Sequence, residues 1–227
     1  MIDSMARAAF GNARFRLRGS TDEETAALRE AVGRMLEGVR VKDVMRLSPD
    51  ILAGILPRLY PQMLGVAYEH QDEGRPIYIV TAASQEMCDL VAPVLQVDGG
   101  IGTRAERRDG IYTGRMLEPF TYRSGKAVAM RELAEREGFD LAESWAYSDS
   151  ESDLPMLRAV GHPVAVNPDA ELQRIAREEG WEILTFETLR RTLKLAAGLL
   201  AVVAAGGAAY NRRNSGVQRR RLPRVRR

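Results

Sequence analysis

The sequence predicts an α/β fold, a parallel sheet with helices on both faces that follows a purely helical stretch. Two observations predict it. Residues 1–73 carry apolar positions at helical spacing and no strand pattern. From residue 75 onward, short apolar β-rich runs alternate with helical stretches across short links, the pattern of parallel strands joined by crossover helices.

The elements follow in order. "STDEETAALREAVGRMLEGV" opens with a capping box, Thr21 to Glu24, and spaces Leu28, Ala31, Val32, Met35, Leu36 and Val39 along one helical face. "SPDILAGILPRLYPQMLGVAYEH" continues in shorter helices punctuated by Pro57 and Pro61. "PIYIVT" is the first strand, and "SQEMCDLVAPVL" is the helix after it. Asp109-Gly110 inside "TRAERRDGIYTGRML" marks a hairpin. A helix over 124–138, the strand "SWAYS", a helix over 154–160, the strand "HPVAVN", a helix over 169–179 and the strand "WEILTF" complete the series. The expected domains are a helical region at 1–73, a core at 74–188, an apolar helix at 189–210 and a disordered basic tail at 211–227.

With 227 residues the chain has room for one substantial core. The single cysteine, Cys88, excludes an internal disulfide and fits a reducing compartment. "MIDSMARAAF" has no apolar run of signal length, so the expected location is the cytoplasm. The net charge of +2 includes eight arginines in 211–227, which leaves −6 on the rest. Residues 195–210 are uncharged and bracketed by basic residues, too short to span a bilayer easily. The expectation is therefore a peripheral helix, with the tail on an anionic membrane surface. The tail lacks aromatics, so no nucleic acid is expected as a partner.

The chemistry concentrates in "AYSDSESDLPML", where Asp149, Glu151 and Asp153 crowd the end of a strand. As a calcium loop it fails, because Leu154 and Val160 stand where glycine and glutamate are required. A hard cation held by one or two carboxylates, water and phosphate demands less; acids favouring the next helix dipole are the plain alternative. Thr81, at a strand end before small residues and a helix N-terminus, suits an anion. Lys126 opens a helix in a chain where only Lys42, Lys126 and Lys194 of 33 basic residues are lysine, which hints at a need for a compact charge. Cys88, on an apolar helix face, reads as core, and His70 and His162 have no ligand-spaced partners.

In the order hydroxyl, lysine, paired aspartates, "VTAAS", "GKA" and "YSDSESDLPML" resemble the second, third and fourth motifs of the haloacid dehalogenase superfamily. The closer likeness is to its phosphoserine-phosphatase-like subclass, and it covers about 75–187. The resemblance implies a Rossmann-like sheet, an N-terminal helical cap and Mg²⁺-dependent hydrolysis of a small phosphorylated metabolite. It assigns Asp149 to the metal and Asp153 to supporting metal and Lys126. Lys126 would neutralise phosphate charge, Thr81 and the Ala82 amide would bind a phosphoryl oxygen, and Ser152 would contact substrate. The family's first motif, an Asp-x-Asp on a central first strand, has no counterpart before residue 75. The sequence thus predicts that this strand is missing, that Met1 is internal to a longer protein, and that the chain as written does not turn over phosphate esters. The alternative expectation is a non-catalytic, membrane-associated module that binds Mg²⁺ and phosphate.

Overall fold

A computed structural model describes residues 22–186. The chain divides into two units, Met1–Thr185 and Phe186–Arg227, and the fold below is that of the first. Thr21 of the expected capping box, the apolar run at 195–210 and the basic tail lie outside the described residues. No helix among those described is long and apolar enough to cross a membrane.

The helical segment comprises α1 (Asp22–Leu36), α2 (Val41–Met45), α3 (Ser48–Ile55) and α4 (Pro61–Asp72). Prolines set their limits. Pro49 and Pro61 occupy first-turn positions of α3 and α4, where a missing N–H costs nothing, and Pro57 sits in the 3₁₀ turn Leu56–Arg58 that ends α3.

Strand β1 (Tyr78–Ser84) leads into α5 (Gln85–Val94) and then into β2 (Gly99–Thr103), which pairs with β1 in parallel. The sequence pattern does not reveal β2, because "GGIGT" lacks strand formers. Its glycines answer a different need. A Cβ on Gly100 would stand 2.7 Å from the Cβ of Cys88, and one on Gly102 would stand 2.7 Å from the backbone nitrogen of Gln85. Only a bare backbone lets β2 lie this close to α5.

The hairpin forms as expected, from β3 (Ala105–Arg108) and β4 (Ile111–Met116). Asp109 and Gly110 both take positive φ, 50° and 75°, as a tight two-residue turn requires. Helix α1 packs on β4, and the segment after it borders the hairpin. The Gly38 N–H donates to Tyr112 O at 3.0 Å, Tyr112 N–H to Val39 O at 2.9 Å, and Val41 N–H to Gly110 O at 2.9 Å.

Helix α6 (Ser124–Glu137) ends at Gly138, whose left-handed φ of 77° suits a glycine cap. Strands β5 (Trp145–Ser148), β6 (His162–Val166) and β7 (Glu182–Leu184) form a three-stranded parallel sheet, linked by α7 (Leu154–Leu157) and α8 (Ala170–Glu178). Its core is built from Ala146, Met156, Leu157, Ala165, Leu172 and Ala176, with Val80 of β1 and Met130 of α6 packed against them. Leu157 and Leu172 are wholly buried. The α/β class holds, but the parallel strands fall into two groups. Among the described residues no strand pairs β1 with β5.

Candidate functional site

Strand β5 carries Tyr147 and Ser148 to its carboxyl end, and the acidic loop begins at once with Asp149. The loop then tightens into a 3₁₀ turn, Glu151–Asp153, started by Ser150, whose hydroxyl accepts the Ser152 N–H. Helix α6 begins across from it and brings Lys126 in its first turn.

Lys126 and Asp153 meet there. The Lys126 Nζ lies 2.7 Å from Asp153 Oδ1 and 2.8 Å from Oδ2, and the two side chains are only 13% and 9% exposed. Ser148 donates its hydroxyl to the same Oδ2 at 2.7 Å. An ammonium and a carboxylate this far out of water need such mutual hydrogen bonding to persist. Beside this pair stands a second one, Arg123 to Glu151 at 3.2 Å. Two cations on the start of α6 thus hold two acids of the loop.

Asp149 differs from its neighbours. No ion pair engages it among the described residues, and its side chain reaches solvent. Protein packed around the carboxylate raises its pKa; Asp153 and Asp169 push the same way, while Lys126 opposes them. Its own backbone N–H also favours the ionised form, but no cation pairs with Asp149 among the described residues. That fits a hard cation bound through one carboxylate, with water and a phosphate completing its shell. A larger protein cage is absent, since no group of three His, Cys, Asp or Glu gathers as a metal shell among the described residues.

A prediction follows from the sign of that shift. With the pKa raised in the folded state, ionising Asp149 destabilises the fold, and stability present at low pH declines as pH rises through the raised value. Asp149→Asn is expected to raise Tm at neutral pH without metal and to erase any Mg²⁺-induced rise. Thermal denaturation with and without 5–10 mM MgCl₂, a range of about this size being ample for weak sites, checks both; an unchanged Mg²⁺ response would remove Asp149 as a ligand.

Thr81 and Ala82 lie on β1, and no hydrogen bond joins either to Lys126 or Asp153 among the described residues. Thr81 also departs from its expected place at a strand end. Strand β1 runs on to Ser84, although regular pairing with β2 breaks after Val80. The Thr81 hydroxyl accepts the Ala83 N–H at 3.2 Å, and the Ala82 carbonyl accepts the Thr103 hydroxyl at 2.9 Å. The helix follows from Gln85, one residue after its expected start at Ser84. Ser152 remains in the loop, its hydroxyl 3.0 Å from that of Ser150.

Two residues at the site were not anticipated. Arg123 precedes α6 with φ 49° and ψ −118°, a conformation that strains any residue with a Cβ. Glu151 accepts its guanidinium. Asp169 bridges two elements, capping α8 through Leu172 N–H at 2.9 Å and accepting the Glu151 N–H at 3.0 Å. The only sequence signal for Asp169 was its position after Asn167-Pro168 at a strand end.

The remaining candidates stand elsewhere. Cys88 is buried, and burial, with Asp89 and Glu86 nearby, pushes its thiol up to about 11, which disfavours the thiolate that a nucleophile needs. His70 Nε2 is 2.7 Å from the Tyr147 hydroxyl, and His162 stacks on Trp145 with ring centres 4.1 Å apart.

A family model described as haloacid dehalogenase-like hydrolase matches residues 3–158. Among curated proteins, the chain is 38% identical over 202 residues to "Phosphoserine phosphatase SerB1" of Mycobacterium tuberculosis, covering 88% of this chain and 66% of that protein. The chain thus spans just under two thirds of the length of the first curated relatives it matches. Among solved structures, a protein of unknown function from Bordetella pertussis Tohama I superposes with a TM-score of 0.64 at 29% identity, over 81% of this chain and 79% of that one. A substrate-bound phosphoserine phosphatase superposes at TM-score 0.51 and 19% identity, covering 75% and 76%, a likeness of fold alone.

Proposed function

Since the chain belongs to the haloacid dehalogenase-like hydrolases, we propose that it contributes the charge-stabilising half of a phosphomonoesterase site for a small phosphorylated metabolite. The observation that carries this reading is the Lys126–Asp153–Ser148 group, largely out of water, beside the Asp149 carboxylate, which no cation pairs among the described residues.

The roles follow from chemistry. Lys126, fixed by Asp153, holds a compact positive charge in a low-dielectric setting where a phosphoryl oxygen gains most from it. Ser148 keeps the Asp153 carboxylate oriented, and with it the ammonium that the carboxylate holds. Thr81 and the Ala82 N–H offer hydrogen bonds to a second phosphoryl oxygen, and Ser152 to the rest of the substrate. Asp149 would hold Mg²⁺, which when bound neutralises charge on the transferring phosphoryl group. The attacking group is not among the residues assigned here. Phosphoserine is the first substrate to try, on the strength of the SerB1 relative.

The test is phosphate release from a panel of phosphomonoesters by the protein purified from its own cell, with and without Mg²⁺. Activity that needs Mg²⁺ supports the reading; activity indifferent to chelation defeats it. Thr81→Val, which deletes one hydroxyl at constant shape, is expected to raise KM and lower kcat/KM about tenfold, the loss of one hydrogen bond to a charged group. An unchanged kcat/KM would take Thr81 out of the site.

A further inference from the structure

His70 stands in the last turn of α4, between two neighbours that fix both of its ring nitrogens. The chain folds back after α4, and Arg75 N–H donates to the His70 carbonyl at 2.9 Å. That return sets the Arg75 guanidinium 2.8 Å from His70 Nδ1 and 4.3 Å over the Trp145 ring of β5. The other ring nitrogen, Nε2, meets the Tyr147 hydroxyl of β5 at 2.7 Å. The end of the helical segment is thereby tied to the strand that leads into the acid loop.

The partners decide where the ring proton sits. A guanidinium only donates, so Nδ1 must be a bare acceptor. The single proton of the neutral ring is then on Nε2, and it is donated to Tyr147. A second proton would set Nδ1–H against an N–H of Arg75, donor against donor and charge against charge. Arg75 cannot yield by losing its own proton, and Glu73 ion-pairs with it. Burial and Arg75 hold the imidazole below its ordinary value, against the opposing pull of Glu73 and Glu69. From β5, Trp145 and Tyr147 face the ring without charge, the Tyr147 phenol being pushed up to about 12 by burial. Asp140 and Glu143 line the same groove, and His162 stacks on Trp145, but no hydrogen bond joins any of these three to His70 among the described residues.

Tyr147 adjoins the acid loop directly. The next residue, Ser148, donates to Asp153, which holds Lys126. We propose that neutral His70 clamps the end of α4 to β5, and that its protonation in mildly acidic conditions releases the clamp and loosens the acid loop. His70 is thus a positioning residue that acts through Tyr147. The sign follows from linkage. A histidine held neutral by the fold adds stability that is fully present above its unfolded value of about 6.5 and is lost as pH falls from there through the depressed value. The inference does not rest on the phosphatase reading, since protonation and loop opening are measured without substrate.

The test is NMR of the full chain from about pH 5 to 8, the range in which imidazoles titrate, with ¹⁵N in the histidine rings. The chain has two histidines, and His162→Gln identifies the signals of His70. His70 is expected as the Nε2–H tautomer with a midpoint below about 6.5. Protection of the Ser148–Asp153 amides against hydrogen exchange is expected to fall as His70 takes up its proton. The fall is about tenfold for each unit by which the midpoint lies under the unfolded value. His70→Gln cannot titrate, so this step is expected to vanish there while any step from Asp149 itself persists. Tyr147→Phe keeps a titrating His70 without the contact, and is expected to uncouple the loop from the ring. An Nδ1–H tautomer, or a midpoint at or above about 6.5, overturns the clamp. So does loop protection that ignores the His70 midpoint in the unaltered chain, or a step that survives in either variant.

Discussion

Gly125→Ala is expected to destabilise the protein by about 3 kcal/mol or more, the upper range for overpacking against a fixed neighbour, and to disable the site without touching a charged group. An alanine Cβ at position 125 would overlap the carbonyl oxygen of Phe120 and stand 2.8 Å from its carbonyl carbon. Backbone cannot swing aside as a side chain can. The local chain is already committed, with Gly125 N–H donating to Tyr122 O at 2.9 Å and Lys126 N–H to Arg123 O at 3.2 Å. Relief must therefore come from displacing the first turn of α6, which carries Lys126. Urea denaturation would read the stability loss, and a structure of the variant would show Lys126 withdrawn from Asp153. A variant with full stability would mean that the Phe120–Gly125 turn is far softer than its hydrogen bonds imply.

The second large effect is expected at the buried pair. Lys126→Ala leaves the Asp153 carboxylate largely out of water with only the hydroxyls of Ser148 and Ser152 to partner it, a loss of about 3–5 kcal/mol for breaking one side of such a pair. Replacing both residues, Lys126→Met with Asp153→Leu, is expected to recover most of that stability, because no buried charge is then stranded. Function should not recover with it. In the active protein both variants are expected to lose about 10²–10³ in kcat, the usual value of one preorganised charge at a reacting centre. A double variant with near-native turnover would reduce Lys126 to a structural residue.

How far the sequence foretold this depends on the range of each signal. The Asp109-Gly110 hairpin and the helix limits at Pro57 and Pro61 were legible because their causes act within a few residues. Lys126 and the aspartates were legible as a pattern of types, although nothing local showed that the lysine and Asp153 would meet. Strand β2 was not legible, since its glycines answer to the approach of α5 rather than to strand propensity. Arg123 and Asp169 escaped for a related reason. Each is an ordinary charged residue until folding brings the start of α6, the loop after β5 and the start of α8 together. Thr81 was placed by its type at a strand end, while the strand runs on to Ser84.

The joint between α1 and the hairpin bears on how this chain could be recombined. A Cβ on Gly33 of α1 would overlap the Gly114 carbonyl oxygen of β4, Gly114 itself takes a φ of 85° that a side chain would strain, and Arg29 reaches from the same helix to the Met116 carbonyl and to Glu118. Residues far apart in sequence thus form one inheritable block. A chimera that exchanged only the leading helices with a relative would set foreign side chains against that bare glycine seam and lose its fit. Swaps that carry 22–41 and 105–118 together should be the ones that fold, so crossover points for a library of hybrids belong outside both segments.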